Sequence, residues 1–371
     1  MDIQVAKFRE TLDLLKPAVA RKTTLKSIEH ILLKEGQALA TDLETFVVAA
    51  MPEANITTLV PFKDVAKLMQ FTPGGEMLNI KVKGKTLSLA WSSGSATFPV
   101  ESVETFPDVP KFVSEVEESL DADALIPALV EVLPYAATDD GRPVLQGVTL
   151  ILENPIRVAA GDGYRMADKE LPFSFPKDFI TIIPPSSVKV LNHLWEKTPR
   201  IPPPTEVLVT AILSKKMVML GHNGKEGLIF RFDNGTTAFV KLIQGSPPDF
   251  LKLIPKDEPI LKVLLLAEDL ALAVRRVAGV ALDEKGIVRM DFKDNLATIS
   301  AKSDGHKVET SFQTMECTGA ADTLGLNVGY LSRYINDKQG IVTIEWTGKT
   351  SPVTFRSRND PRVLIMPMAI K

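Results

Sequence analysis

Residues 27–46 read SIEHILLKEGQALATDLETF, and this stretch decides the fold. An apolar run, a Lys-Glu-Gly turn and a second apolar run predict two strands joined as a hairpin. The second strand ends at Asp42. Aspartate often accepts hydrogen bonds from the backbone that follows it, and so shapes turns. The stretch therefore predicts an antiparallel hairpin whose far end is shaped by an aspartate.

The same unit returns twice along the chain. Residues 147–166 read GVTLILENPIRVAAGDGYRM, and residues 286–308 read GIVRMDFKDNLATISAKSDGHKV. Asp162 and Asp304 stand where Asp42 stands in the first copy. A residue that recurs at one point of three repeats is better explained by the turn than by chemistry. We therefore interpret the recurring aspartate as structural.

Helical patterns accompany each hairpin, because apolar residues recur at three- and four-residue steps. The six segments are 4–22, 61–71, 120–139, 185–197, 266–284 and 327–338. Pro61 is well placed to open the second helix. We expect the third to begin near Pro127, and the fourth to be capped by a serine of its PSS start.

Two helices and several antiparallel strands per copy indicate an α+β fold of three repeated modules, at 1–116, 117–256 and 257–371. Three such modules form an arc, which either remains open or closes by oligomerising, and a two-fold dimer is the commonest closed symmetry. Twelve helices side by side at spacings of about 10 Å enclose an opening of roughly 27 Å. That opening admits a nucleic-acid duplex.

The composition excludes several classes of protein. Of the 371 residues, 45% are hydrophobic and 24% are charged, as in soluble globular proteins. No apolar run reaches the roughly 18 residues that span a bilayer, and the MDIQVAKFRE start lacks a secretion signal. The single cysteine, Cys317, excludes an internal disulfide. These features favour the cytoplasm, and the net charge of −3 still allows one basic face.

Enzyme motifs are weak. The four histidines are scattered without the spacing of metal ligands. Asp139 and Asp140 precede Gly141 in a plain turn signal. We therefore expect no catalytic residue, no metal and no cofactor.

Several ordered motifs resemble the bacterial sliding clamp family, the beta subunits of DNA polymerase III. They are LLKPAVARKTTL, ATDLE, GDGYRMA, the FPD and PPDF turns, LIPK and the ending VLIMPMAIK, and they span the whole chain. The resemblance implies a head-to-tail homodimeric ring with helices lining its hole. Such a ring encircles duplex DNA without sequence preference and tethers the replicative polymerase, which gives processivity without catalysis. It further implies a nucleoid-associated cytoplasmic protein that meets the polymerase, the clamp loader and repair proteins through linear motifs.

The resemblance also implies a pocket for those motifs between the second and third modules. Its residues would be Leu145, Gly161, Gly163, Tyr164, Arg165, Met166, Pro248, Lys252, Leu253, Leu364, Met366, Pro367 and Met368. Leucine, methionine and proline make an adaptable apolar surface, and glycine allows close approach of a backbone. We expect Arg165 and Lys252 to add polar contacts at the edge of this pocket.

Candidate DNA contacts are Lys22, which matches a family loop arginine, its neighbour Arg21, and Arg142. The chain departs from the family in having Tyr164 in place of a histidine and Ala369 in place of an arginine. Pro143 and Val144 replace an aromatic pair that usually contacts DNA. Two other readings remain open: a clamp paralogue without a replicative role, and a monomeric scaffold that binds peptides.

Overall fold

The structure is a computed structural model that describes residues 1–111, 113–200, 215–224, 227–282, 286–319, 323–358 and 360–370. In these residues, helices combine with sheets in which antiparallel pairing of the strands predominates. The predicted α+β class is confirmed. None of the helices in the described ranges combines the length and apolar character needed to cross a membrane.

The helices match the predicted segments. They are α1 (Val5–Leu15), α2 (Phe62–Phe71), α3 (Ala122–Val132), α4 (Pro185–Lys197), α5 (Ala267–Leu282) and α6 (Val328–Ile335). The apolar stripe that predicts α1 is its buried face, formed by Val5, Phe8, Leu12 and Leu15.

The strands are β1 (Asp2–Gln4), β2 (His30–Lys34), β3 (Gln37–Thr41), β4 (Thr45–Ala50), β5 (Thr58–Pro61), β6 (Met77–Lys83), β7 (Thr86–Trp91), β8 (Gly94–Pro99), β9 (Val116–Asp121), β10 (Val148–Leu152), β11 (Arg157–Gly161), β12 (Arg165–Glu170), β13 (Phe179–Ile183), β14 (Met217–His222), β15 (Gly227–Phe232), β16 (Thr237–Lys241), β17 (Leu261–Leu266), β18 (Ile287–Lys293), β19 (Leu296–Ser303), β20 (His306–Gln313), β21 (Glu316–Gly319), β22 (Leu324–Asn327), β23 (Ile341–Trp346), β24 (Val353–Ser357) and β25 (Arg362–Ile365).

The chain divides into two compact units. The first comprises Met1–Val130, Leu152–Asn154 and Phe173–Gln244, and the second comprises Glu131–Ile151, Pro155–Pro172 and Gly245–Lys371. A compact unit can hold more than one repeat, so the division into three modules stays a prediction.

Each unit contains one larger and one smaller sheet. In the first unit the strand orders are β5-β2-β3-β4-β16-β15-β14-β9 and β1-β6-β7-β8. In the second unit the orders β10-β11-β12-β25-β24-β23-β17-β21 and β20-β19-β18-β22 occur. Helix α1 packs against α2 and α4 in the first unit, and α5 packs against α6 and β18 to β20 in the second.

Two details of the helices differ from expectation. Helix α3 begins at Ala122 rather than near Pro127, because the Asp121 carboxylate accepts the backbone N–H groups of Asp123 (2.9 Å) and Ala124 (3.3 Å). Pro127 lies inside the helix, which therefore lacks one backbone hydrogen bond.

The expected serine cap of α4 is absent. No side chain caps this helix, which starts at Pro185, a residue whose fixed φ already suits the first helical position. Ser187 is instead buried, and its hydroxyl lies 2.7 Å from that of Thr45 on β4.

The repeated aspartate behaves as predicted in two copies. Oδ1 of Asp42 accepts the N–H groups of Glu44 (3.0 Å) and Thr45 (2.7 Å), and so closes the turn between β3 and β4. The residue inside that turn, Leu43, has a φ of 77°, in the left-handed region that disfavours bulky side chains. In the third copy Asp304 lies in a different turn, since Ser303 pairs directly with His306 in a tight hairpin.

A buried histidine on β14 predicts a pH-dependent stability for the first unit. His222 is 1% exposed, stacks on Phe179 at 4.4 Å between ring centroids, and accepts the Gly224 N–H at Nδ1. Burial lowers the pKa of His222 below its ordinary value of 6.5. Glu115 opposes this shift, whereas Lys177 adds to it.

The sign of the resulting pH dependence follows from this lowered pKa. Between the folded pKa and 6.5 the unfolded chain binds the extra proton and the folded chain does not, so the free energy of unfolding falls with falling pH. His222→Asn keeps an acceptor near Nδ1 but cannot titrate. We expect urea denaturation from pH 7 to pH 5 to show a steeper loss of stability in the wild type than in the variant. Parallel pH profiles would contradict this prediction.

Candidate functional site

The turn between β11 and β12 forms one side of the candidate site. Oδ1 of Asp162 accepts the N–H groups of Tyr164 (2.9 Å) and Arg165 (3.0 Å), as Asp42 does in the first copy. The intervening Gly163 has a φ of 91°, which only glycine adopts without strain. The structural interpretation of Asp162 is therefore confirmed, and the same turn also presents the side chain of Tyr164.

A cavity of about 570 Å³ lies beside this turn in the second unit. It is lined by Gly161, Gly163, Tyr164, Arg165, Met166, Phe250, Lys252, Leu253, Ile254, Pro255, Lys256, Thr350, Ser351, Pro352, Leu364 and Met366. Nine of the thirteen residues that the sequence assigned to the pocket are in this lining. The structure thus brings together residues from three distant parts of the chain.

The floor of the cavity is a small buried cluster. Met166, Phe250 and Leu364 pack with Ala159, and the predicted Leu145 packs against this cluster rather than lining the cavity. A Cβ on Gly161 would lie 2.9 Å from Cε1 of Phe250. Glycine is therefore needed there for the aromatic ring to reach the floor.

Three further predicted residues lie outside the lining. The carbonyl of Pro248 accepts the Phe250 N–H at 2.9 Å, which shapes the turn that presents Phe250. The Met368 N–H donates to the Gly325 carbonyl at 2.8 Å, so the backbone after Met366 is held against β22. Pro367 lies between Met366 and Met368 and is half-buried. Pro248 and Met368 therefore position the cavity wall without forming it, and Pro367 likewise lies outside the lining.

Sequence reasoning missed one wall. Thr350, Ser351 and Pro352 come from the loop between β23 and β24, where the sequence offers only a turn signal. Phe250 was within reach of sequence reasoning, since it is the last residue of the PPDF motif. An aromatic residue at the end of a turn that begins with two prolines indicates a side chain that packs into the protein, here in the floor of the cavity.

Arg165 is buried, whereas the sequence predicts that it adds a polar contact at the edge of the pocket. Its Nε donates to Asp162 Oδ2 at 2.9 Å, and its Nη2 donates to the Pro134 carbonyl at 3.0 Å. The guanidinium lies 5.2 Å from the ring centroid of Tyr135 and 4.8 Å from that of Tyr330. A guanidinium held by an ion pair and two aromatic faces is fixed in place. It acts as part of the wall.

The two tyrosines that bracket Arg165 stay neutral at physiological pH. Burial raises the pKa of Tyr135 to about 12, against the opposing charge of Arg165. Burial likewise raises the pKa of Tyr330. The ionised group of this wall is therefore the guanidinium, whose charge Asp162 balances.

The edge of the cavity is exposed and mixed in character. Tyr164 is 61% exposed, Leu253 53% and Met366 39%, which is unusual for large apolar side chains. Lys252 is exposed, as expected, and pairs with Asp249 at 2.9 Å. This arrangement can bind an apolar side chain in the cavity and leave its polar neighbours at the edge.

The predicted DNA contacts lie in different places. Arg21 and Lys22 are exposed in the loop after α1, and Lys22 has a φ of 52°. Arg142 belongs to the other unit. It pairs with Asp139 at 3.0 Å, and its Nη1 lies 2.6 Å from where a Cβ on Gly163 would stand. Arg142 thus lies beside the cavity.

Three curated relatives that this chain resembles match between 75% and 100% of its length. No family model matches the chain. The chain is 23% identical to the beta sliding clamp of Caulobacter vibrioides over 100% of both chains. It is 25% identical to the beta sliding clamp of Proteus mirabilis, over 88% of this chain and 89% of that protein. It is also 25% identical to the beta sliding clamp homolog GriR of Streptomyces muensis, over 75% of this chain and 70% of that protein.

Solved structures agree with the fold. The DNA polymerase III subunit beta of Pseudomonas aeruginosa superposes with a TM-score of 0.86 over 100% of both chains, at 20% identity. A sliding clamp from the same organism, bound to griselimycin, has a TM-score of 0.84 over 100% of this chain and 99% of that chain, at 21% identity. The predicted DNA clamp fold is confirmed.

Proposed function

We propose that this chain, which belongs to the family of the bacterial beta sliding clamps, encircles duplex DNA and tethers a replicative DNA polymerase. The observation that carries the proposal is that the match covers 100% of both chains, in sequence with the Caulobacter vibrioides clamp and in fold with the Pseudomonas aeruginosa subunit. In this role the protein gives processivity and catalyses no reaction. It works on the nucleoid in the cytoplasm.

The cavity in the second unit is the docking site of this clamp. Its exposed leucine, methionine and tyrosine side chains suit the apolar anchors of a linear peptide. A related clamp binds griselimycin, and we expect this chain to bind it too. Polymerase, clamp loader and repair proteins would then compete for one cavity through short motifs.

Ring closure requires that two copies pair head to tail. The proposal divides each copy into modules at 1–116, 117–256 and 257–371. Strand β8 ends the smaller sheet of the first unit, and β20 ends that of the second. The sequence of β8, GSATFP, has none of the charges that usually protect an exposed edge from pairing. We assign the contact to β8 of one copy and β20 of the other.

DNA passes through such a ring without base recognition. Contacts from lysine and arginine to phosphates depend on salt and not on sequence, which lets a ring slide. Arg21 and Lys22 are exposed and adjacent, and suit this role. Arg142 is a weaker candidate, since Asp139 already neutralises its charge.

Charge reversal tests the DNA contacts. In the variant Arg21→Glu with Lys22→Glu, we expect weaker DNA binding and a salt slope (log K against log salt) smaller in magnitude by about 2, one unit per lost phosphate contact. Fluorescence anisotropy with a labelled duplex at several salt concentrations measures both. Lys83→Glu, at another exposed lysine, should leave the slope unchanged. An unaltered slope in the double variant would remove both residues from the DNA interface.

The clamp differs from the remaining alternatives in how it holds DNA. A closed ring loaded on nicked circular DNA stays bound at high salt and is released when the circle is cut. The similarity to GriR keeps open a paralogue that binds partners without a role in replication. A paralogue would be retained on circular DNA but would fail to stimulate the host polymerase. A monomeric scaffold would be retained equally on circular and linear DNA.

A further inference from the structure

Strand β25 carries the residues that become the last wall of the cavity, and its own sequence does not determine its register. It reads Arg-Val-Leu-Ile, and Val363, Leu364 and Ile365 are 2%, 2% and 0% exposed. A one-residue slip turns every side chain of a strand to the other face. Where three consecutive residues are apolar and buried, the hydrophobic pattern does not oppose such a slip.

A buried ion pair lies at the start of this strand. Asp168 on β12 stands opposite Arg362 on β25. Its Oδ1 accepts from Arg362 Nε at 2.8 Å and its Oδ2 from Arg362 Nη2 at 2.6 Å. The carboxylate is 3% exposed. Two parallel bonds between planar groups fix geometry more tightly than a single contact does.

The pair acts two residues from the cavity. On the same two strands, Met166 stands opposite Leu364, and both line the cavity. The N–H of Met366 then donates to the Tyr164 carbonyl at 2.8 Å, which continues the ladder to the edge. A shift at Arg362 would therefore move Leu364 and Met366 together.

A second arginine, on the neighbouring strand β11, also contacts Asp168. Arg157 on β11 lies 3.4 Å from Asp168 Oδ2 and also pairs with Glu170. Asp168 is thus an anionic centre between two guanidinium groups, while Arg157 has a second carboxylate of its own. Arg362 is the partner that ties this centre to β25.

We infer that the Asp168–Arg362 ion pair sets the register of the C-terminal strand, and that both are positioning residues for ligand binding in the cavity. The inference rests on the proposed function for the ligand, but not for the register. Buried ion pairs are weak evidence for net stability, and their attested use is to select one arrangement among several. Here the selected arrangement places Leu364 and Met366 in the wall.

The experiment separates register from stability. In the double variant D168L/R362M, apolar residues replace the pair, and such replacements often leave stability unchanged or higher. Arg157 keeps Glu170. We expect thermal melting at or above the wild-type temperature, but griselimycin binding by calorimetry weaker by tenfold or more. R362K keeps the positive charge but cannot form the two parallel bonds of the guanidinium group. We expect it to lose an intermediate amount of griselimycin affinity.

NMR reads the register directly. In the wild type, backbone contacts should link Arg165 with Ile365 and Ala167 with Val363, as the strand pairing requires. In D168L/R362M these contacts should weaken and a second set should appear. Glu170→Gln removes the charge of the exposed carboxylate that pairs with Arg157. This variant should retain the single register and the wild-type affinity.

The affinity and the register of the double variant together decide the inference. A double variant with the wild-type contacts and wild-type affinity would overturn the inference. Loss of affinity together with loss of the single register supports it. If griselimycin does not bind the wild type at all, the proposed docking function fails, and the NMR contacts alone still decide whether the ion pair sets the register.

Discussion

We expect Met366→Ala to weaken griselimycin binding about tenfold, which corresponds to roughly 1.4 kcal/mol. The reason is that Met366 is a large apolar side chain in the lining of the cavity and is 39% exposed. Methionine adapts readily to the shape of a bound apolar anchor, so its removal costs contact area. Removing residues 366–371 should abolish binding, because the backbone that is held against Gly325 is lost with the wall. Isothermal titration calorimetry measures both effects.

The chain offers a matched control for this result. Met315 is also exposed, at 56%, but is not in the lining of the cavity. Met315→Ala should bind griselimycin within twofold of the wild type. Equal affinities for Met366→Ala and Met315→Ala would show that the ligand binds elsewhere.

We expect Thr97→Pro to convert the proposed dimer to monomers. Thr97 lies in the middle of β8, opposite Ser88 on β7. The Val100 N–H bonds to the Lys85 carbonyl, so the alternation of an antiparallel ladder turns the Thr97 N–H away from β7. Proline removes that N–H, and edge strands tolerate proline. The first unit should therefore remain folded while the edge can no longer pair.

Native mass by light scattering checks this prediction, and melting temperature confirms folding. Thr97→Val keeps the N–H and the shape of the side chain, so it should remain dimeric. A Thr97→Pro protein that keeps the dimer mass at micromolar concentration would refute the pairing through β8. Loss of the dimer should also release the protein from circular DNA.

Much of the fold could be predicted from the sequence, because its elements repeat. The apolar periodicity of α1 and the turn around Asp42 are local signals, and both recur along the chain. The start of α3 differs from the prediction because the capping carboxylate of Asp121 outweighs the effect of Pro127 inside the helix. Proline costs one hydrogen bond inside a helix, whereas the cap satisfies two N–H groups at its beginning.

The cavity was predictable only in part, because its walls meet through tertiary contacts. The Gly161–Arg165 turn carries an evident local signal. Residues 350–352 carry only a turn signal, because their place in the wall depends on how β23 and β24 pair beside β25. The burial of Arg165 also escaped sequence reasoning, because its partners Pro134, Tyr135 and Tyr330 come from elsewhere in the chain.

The turns at Asp42 and Asp162 share a backbone but differ in side chains. Leu43 occupies the left-handed position that Gly163 occupies in the second copy, and Thr41 stands in place of Gly161. Architecture and recognition can therefore diverge independently after duplication. We expect an alignment weighted on the aspartate to group molecules by the geometry of this turn, whereas one weighted on the two flanking glycines should group them by the presence of a cavity beside the turn.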